Sequence, residues 1–330
     1  VSEAELLVRA RGGDELAFGE LVDGYRKELS AHCYRMLGSL HDAEDALQES
    51  LLSAWRGLKS FEGRSSLRTW LYRICTNACI RLGSQRPKKL LTTDQFPSRD
   101  QTADLGEPIL EPMWLEPCPD DPAASYLQRE GVELAFVAAL QHLPSAQRAV
   151  LILREVLEYS AAEVAEILET TPQSVNSALQ RARKAVEERV PPVSQQAELA
   201  ALGEERLKEL VESFVSAWER ADVDAITELL AEDVRMSMPP LPAWFDGRAA
   251  VLRFFGERVF ETPWRLVPLR ANGQPGFACY MQDPADGVFR LGAINLLHLR
   301  DGRISWISGF LDPALHRRFD VPETFSAGTD

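Results

Sequence analysis

Cysteine is scarce in this chain: five in 330 residues (Cys33, Cys75, Cys79, Cys118, Cys279), odd in number and scattered, with no CxxC pair and no HxxxH spacing. Neither a disulfide framework nor a structural zinc site is indicated, and the thiols read as reduced structural groups. No cofactor and no metal are expected. Long apolar runs are missing too, since none approaches the roughly 18 residues a membrane helix needs. The first residues, VSEAELLVRARGGDELAF, lack the zones of a secretory signal. A cytoplasmic location without membrane association is the expectation. An excess of positive charge is also absent: 36 Lys and Arg stand against 50 Asp and Glu, net −14. That excludes a polybasic coat for nucleic acid or membrane and leaves room for a local basic face.

What is present divides along the chain. Residues 1–90 carry 14 basic and 12 acidic groups, and residues 91–126 carry 1 and 8 with six prolines. The second stretch has neither helical nor alternating apolar periodicity and reads as an irregular acidic linker. Helical periodicity returns over 127–192 and ends at Pro191-Pro192. From 204 to 330 a long amphipathic helix, a short one and then aromatic and β-branched runs separated by Asp-Gly turns predict an α+β domain. The expected architecture is multidomain, two all-α domains followed by an α+β domain.

In the first segment, Leu47, Leu51, Ala54 and Leu58 mark the buried stripe of a helix whose opening turns hold Asp42, Glu44, Asp45, Gln48 and Glu49. Acids there complement the helix dipole, and they also suit a docking surface for a basic partner. From Gly63 to Thr93 there are seven basic residues and no acid. Leu67, Leu71, Ile74, Ala78 and Leu82 form the core seam, while Trp70, Arg73, Asn77 and Arg81 recur along another face. Guanidinium groups suit phosphates and an aromatic platform suits an unstacked base. The preceding loop, with Phe61 and Arg64, is placed to receive that base. Taken alone, a tryptophan such as Trp70 is more often a core residue than a base stacker.

Residues 160–168 and 172–188 read as two helices joined by a tight turn, with Val175, Leu179, Ala182 and Val186 facing inward. Pro172 suits a first helical turn. The outward face offers Gln173, Ser174, Asn176, Ser177, Gln180, Arg181, Arg183 and Lys184 with no acid before Glu187. Amides, hydroxyls and guanidiniums pair with base edges and phosphates in a major groove. A helical hairpin without DNA is the alternative.

The blocks HDAEDALQESLLSAWRGLKSFEG, SSLRTWLYRICTNACIRL and YSAAEVAEILETTPQSVNSALQRARKAVEE together resemble the bacterial sigma-70 family, extracytoplasmic function group. The resemblance implies a sigma-2 domain over 1–90, a sigma-4 helix-turn-helix domain over 127–192, and a subunit that directs RNA polymerase to promoters. It implies that Asp42, Asp45, Gln48, Glu49, Leu51 and Trp55 dock on the β′ clamp of the polymerase core. Phe61, Arg64, Trp70, Arg73, Asn77 and Arg81 would then meet the minus-ten element. Gln173, Ser174, Ser177, Gln180, Arg181 and Lys184 would read the minus-35 element of promoter DNA, with the same domain touching the β flap. One departure is Glu169, standing where this kind of turn usually has Gly; a left-handed residue there is strained, so the turn is expected to differ in detail.

Residues 204–330 are similar to SnoaL-like members of the NTF2-like superfamily, which implies a curved sheet wrapped around helices. A hollow interior lined from Trp218, Met236, Met238, Trp244, Phe254, Phe255, Tyr280, His298, Trp306 and Phe310 is expected, an aromatic-rich set capable of enclosing a small-molecule ligand, with most of these residues simply core. Relatives of this fold include enzymes that use a carboxylate or imidazole in an apolar pocket. Here Asp246, Asp283, Asp301 and Asp312 sit in turn-like contexts and only His298 lies in a strand-like run, so no catalytic residue is assigned. WLEP at Trp114–Pro117, NGQP at Asn272–Pro275 and LDPALHRRF resemble short motifs of sigma factors that carry this extra domain. In that group the fused domain stands in for a separate anti-sigma protein, which points to Trp114, Leu115, Asn272, Gln274 and Asp312 as interdomain regulatory residues. The alternatives are a SnoaL-like small-molecule enzyme fused to a DNA-binding module, and a transcription factor acting without polymerase.

Overall fold

The computed structural model describes residues 2–120 and 132–325. Two compact units divide them: residues 2–89 with 132–191, and 90–120 with 192–325.

The first unit is helical throughout. Its helices are α1 (Glu3–Arg11), α2 (Glu15–Leu37), α3 (Leu40–Gly57) and α4 (Leu67–Gln85), then α6 (Leu134–Gln141), α7 (Ser145–Leu151), α8 (Ala161–Ile167) and α9 (Pro172–Glu187). A side chain that accepts a backbone N–H opens most of them. Ser2 and Ser160 form capping boxes with Glu5 and Glu163, while Asp14, Ser39, Ser66 and Thr171 cap α2, α3, α4 and α9. Gly38 ends α2 in the left-handed conformation. Helix α7 continues into one π-helical turn, Ile152–Val156.

The two segments expected as separate domains share one interior. α4 buries Leu67, Leu71 and Ala78 as the seam predicts, and also Tyr72, Cys75, Thr76 and Cys79 on a neighbouring flank. Tyr159 packs edge-on against Tyr72 there, ring centroids 5.7 Å apart. Arg148 is 5 % exposed, and its guanidinium donates to the carbonyls of Met36, Leu140, Gln141 and Leu143. One cation thereby satisfies orphan carbonyls at the ends of both α2 and α6.

The second unit carries α5 (Thr92–Gln95), α10 (Gln195–Leu202), α11 (Glu204–Glu219), α12 (Val223–Leu229), α13 (Arg248–Glu257), α14 (Pro313–His316) and a seven-stranded sheet. The strands are β1 (Leu230–Ser237), β2 (Trp244–Asp246), β3 (Trp264–Ala271), β4 (Gln274–Gln282), β5 (Phe289–Arg300), β6 (Arg303–Phe310) and β7 (Thr324–Phe325). Their order is β2-β1-β6-β5-β4-β3, with β7 on β5; only β1 and β6 run parallel. Register shifts at Cys279/Tyr280 and His298/Leu299 mark bulges, which bend a sheet. Into the resulting concavity pack Phe214 and Trp218 of α11 and Phe254 and Phe255 of α13, with Phe214 stacked on Phe277 at 5.2 Å. Gly276 is required in β4 because a Cβ there would lie 2.5 Å from the Asn295 carbonyl.

The acidic stretch is not a free linker. Residues 90–120 are strapped along the sheet domain by directional bonds that hydrophobic periodicity does not report. The Trp244 indole donates to the Phe96 carbonyl at 2.7 Å, and the Arg99 N–H donates to the Trp244 carbonyl at 2.8 Å. Arg253 of α13 and Arg258 just past its end donate to carbonyls of Asp100, Thr102 and Ala103. At the far end Pro119 pairs with Ala271. The boundary expected at 126/127 lies outside the described residues.

Candidate polymerase and promoter interfaces

On α3 the structure separates the six residues that sequence grouped. Gln48 and Glu49 are exposed, while Leu51 and Trp55 are half-buried, with the Trp55 ring 5.1 Å from Phe18. Leu52, which the sequence reading passed over, is 56 % exposed beside them and adds apolar surface; its only signal was a leucine one place off the buried stripe. Asp42 is a correction. It is 3 % exposed, ion-paired with Arg86 and with Lys89 Nζ at 3.1 Å, both from the end of α4 and beyond. Asp45 joins the same cluster through Arg86 at 2.9 Å. A carboxylate consumed in this way holds α3 against the chain leaving α4 and has no face left for a partner. Three of the seven basic groups between 63 and 93 are thus explained by structure: Arg86 and Lys89 here, and Arg68, which binds Glu28 at 2.8 Å and the Tyr159 hydroxyl at 3.1 Å.

The face of α4 does align Trp70, Arg73, Asn77 and Arg81, the last three exposed. Arg81 is ion-paired with Glu49 at 2.5 Å and Arg73 with Glu169. Phe61 is a second correction: it is 8 % exposed, under Trp70 at 4.9 Å between centroids, with the Arg11 guanidinium 5.6 Å over its ring. The ring expected to meet a base is a wall of the unit's interior, because the turn after α3 folds inward. Arg64 is exposed and pairs with Glu62.

In the helix-turn-helix, α9 buries Val175, Leu179, Ala182 and Val186. Gln173, Ser174, Asn176, Ser177, Gln180, Arg181, Arg183 and Lys184 are all exposed. Glu169 adopts φ +52° after all, so the left-handed turn is kept despite its Cβ. Glu158 before α8 is left-handed as well.

Cys118, the residue after WLEP, brings the strap onto Asn272 of NGQP. Leu115 is 2 % exposed, and the Trp114 indole donates to the Ile109 carbonyl at 2.7 Å. Cys118 N–H donates to Asn272 Oδ1 at 2.8 Å and Asn272 N–H donates to the Cys118 carbonyl at 2.9 Å. Gln274 is fully buried and donates to the Leu297 carbonyl. Asp312 stands apart from this cluster: it is exposed and caps α14 by accepting the Ala314 N–H.

The ten side chains expected to line one interior divide between two faces of the sheet. Trp218, Met236, Met238, Phe254 and Phe255 belong to the packed core. His298 lies between the core residues Leu297 and Leu299 and stacks on Trp306 at 4.3 Å, away from that core. Tyr280 donates to the Pro322 carbonyl and packs on Phe325. Burial pushes His298 down to about 3, a neutral imidazole through the physiological range. Among the described residues no group of three or more His, Cys, Asp or Glu is placed to hold a metal ion, and no helix is long and apolar enough to cross a membrane.

A helical unit with an exposed recognition helix that carries no acid before Glu187, joined to a strapped NTF2-like sheet domain, defines a DNA-reading protein with an appended α+β module. The family models agree in order: Sigma-70 region 2 matches residues 21–86, Sigma-70 region 4 matches 133–186, and the SnoaL-like domain matches 211–307. ECF RNA polymerase sigma factor SigG of Mycobacterium tuberculosis is 41% identical over 324 residues, 95% of this chain and 85% of SigG. SigW of Bacillus subtilis is 31% identical over 54% of this chain and 91% of its own length. The crystal structure of the M. tuberculosis extracytoplasmic function sigma factor SigJ superposes with a TM-score of 0.62 at 21% identity, covering 91% of this chain and all of SigJ, and so shares the fold. The chain belongs to the ECF RNA polymerase sigma factors. As a sigma factor it acts with core polymerase and promoter DNA.

Proposed function

We propose that the exposed part of α3, Gln48, Glu49, Leu51, Leu52 and Trp55, is the surface that docks on the polymerase clamp, with Asp42 and Asp45 holding that helix in place. Trp70, Arg73, Asn77 and Arg81 of α4 meet and open the minus-ten element, and the α9 face from Gln173 to Lys184 reads the minus-35 element. The α9 face carries this reading: eight exposed amide, hydroxyl and cationic side chains stand on a helix whose opposite side is fully packed. Net acidity of −14 suits a factor that reaches DNA only with polymerase, because it opposes nonspecific duplex binding. The protein performs no catalysis of its own and works in the cytoplasm.

The third domain regulates in cis. A strap that is an integral part of that domain ties it covalently to both DNA-reading segments at high effective concentration, replacing a separate inhibitor. The reading is tested by run-off transcription with purified core polymerase. Full-length protein is expected to direct a discrete start site, and deletion of 204–330 to change the output. A chain that neither binds core nor redirects initiation sinks the proposal.

A further inference from the structure

Helix α1 lies ahead of the segment matched to Sigma-70 region 2 and adds little to the interior, burying only Leu6 and Ala10. Polar contacts hold it: the Tyr25 hydroxyl of α2 donates to Glu3 at 2.6 Å, and Arg9 pairs with Asp14 at 2.7 Å. Arg11, the second arginine of the helix, is placed differently. Its Nη2 donates to the Phe61 carbonyl, its guanidinium lies 5.6 Å over the Phe61 ring, and its Nε is buried without a partner. A buried N–H left unpaired costs stability, which sets this contact apart from an ordinary surface pair.

The turn that Arg11 grips leads into the face of α4 that carries Trp70. Phe61 is 8 % exposed and lies under the Trp70 ring at 4.9 Å between centroids, while Gly57, at the end of α3, runs alongside the indole. Trp70 belongs to the first turn of α4, where its N–H donates to the carbonyl of the capping residue Ser66 at 3.1 Å. The cap fixes the backbone there, and the ring takes its position from its neighbours. Two links therefore carry the position of α1 to the indole: Arg11 to Phe61, and Phe61 to Trp70. A side chain already held in its binding conformation escapes the ordering cost at the moment of contact, a factor of about two to ten for one side chain.

We infer that Arg11 is a positioning residue for promoter opening: from α1 it clamps Phe61 under Trp70 and so presets the indole on which an unpaired base of the minus-ten element stacks. The inference rests on the role proposed above for Trp70. Arg11 acts through two rings and makes no base contact of its own in this role.

Holenzyme reconstituted from full-length protein and core polymerase gives the rate of open-complex formation through permanganate reactivity of the minus-ten region, and a titration gives the core affinity. Arg11→Ala is expected to slow opening about two- to ten-fold with core affinity unchanged. In a Trp70→Ala background, itself slow to open, Arg11→Ala is expected to add nothing, because residues that act as one unit are not additive. A merely structural role for Arg11 would slow both backgrounds alike. Arg9→Ala removes the exposed ion pair of the same helix and is expected to open at the parent's rate. Should Arg11→Ala fail to fold by circular dichroism, Arg11→Gln takes its place in the cycle. A folded Arg11 variant at the parent's rate, equal slowing with and without Trp70, or equal slowing by Arg9→Ala overturns the positioning role. Trp70→Ala opening at the parent's rate instead sinks the role proposed for Trp70, an outcome distinct from those three.

Discussion

Cys118 and Asn272 exchange two hydrogen bonds, the Asn272 side chain accepting from the Cys118 N–H at 2.8 Å and the Cys118 carbonyl accepting from the Asn272 N–H at 2.9 Å. Asn272 is 1 % exposed with φ +54°, a conformation asparagine tolerates better than most residues. Asn272→Ala removes the acceptor and adds backbone strain, so the strap should loosen by about 2–3 kcal/mol. Hydrogen exchange of the Cys118 region checks this; protection equal to the parent's would show that the strap does not depend on the pair.

Asp42 predicts a stability effect where the sequence alone predicted a binding one. Asp42→Ala leaves Lys89, 2 % exposed, with its charge deprived of this partner, a loss of about 3–5 kcal/mol by analogy with other broken buried pairs. Gln48→Ala should leave the denaturation midpoint unchanged and weaken core binding. Denaturant unfolding and a core-binding titration on both variants separate the two roles.

Removal of one phosphate contact lowers the salt dependence of promoter binding. Lys184→Ala in the holoenzyme should reduce the slope of log K against log salt by about 0.9 while affecting different sequences alike. Gln180→Ala should instead relax base preference at one upstream position. Identical slopes for parent and Lys184→Ala would place that lysine off the DNA.

Two buried histidines set a pH dependence. Burial lowers His32 and His298 to about 3, with the nearby charges of Arg35 and Arg68 adding to the effect at His32. An unfolded imidazole binds its proton near pH 6.5, so each site's contribution is complete above that value and is lost as pH falls from 6.5 toward 3. Between pH 7.5 and 5.5 each should cost about 1.4 kcal/mol. The difference in unfolding free energy between those two pH values should shrink by that amount in His298→Phe, measured in urea.

Much of this was legible along the chain. The α9 stripe of Val175, Leu179, Ala182 and Val186 and the order of helices and strands follow from periodicity, which acts over three or four residues. The exposed α9 face followed too, because a helix packed on one side exposes the other.

Relations across long separations were decided only by the fold. Asp42 read as a surface acid because nothing within a helical turn neutralises it; its partners are 44 and 47 residues away. Phe61 read as open to a base because its covering ring, Trp70, lies beyond the next helix cap. The apolar side chains of residues 90–120 follow neither helical nor alternating spacing and so give no burial signal, yet backbone and indole hydrogen bonds to Trp244, Arg253, Arg258 and Asn272 fix them. Local composition determined which residues are helical, apolar or charged. Tertiary packing decided which charges are spent on the protein itself and which remain for polymerase and DNA, since desolvation and pairing depend on neighbours that the sequence does not place side by side.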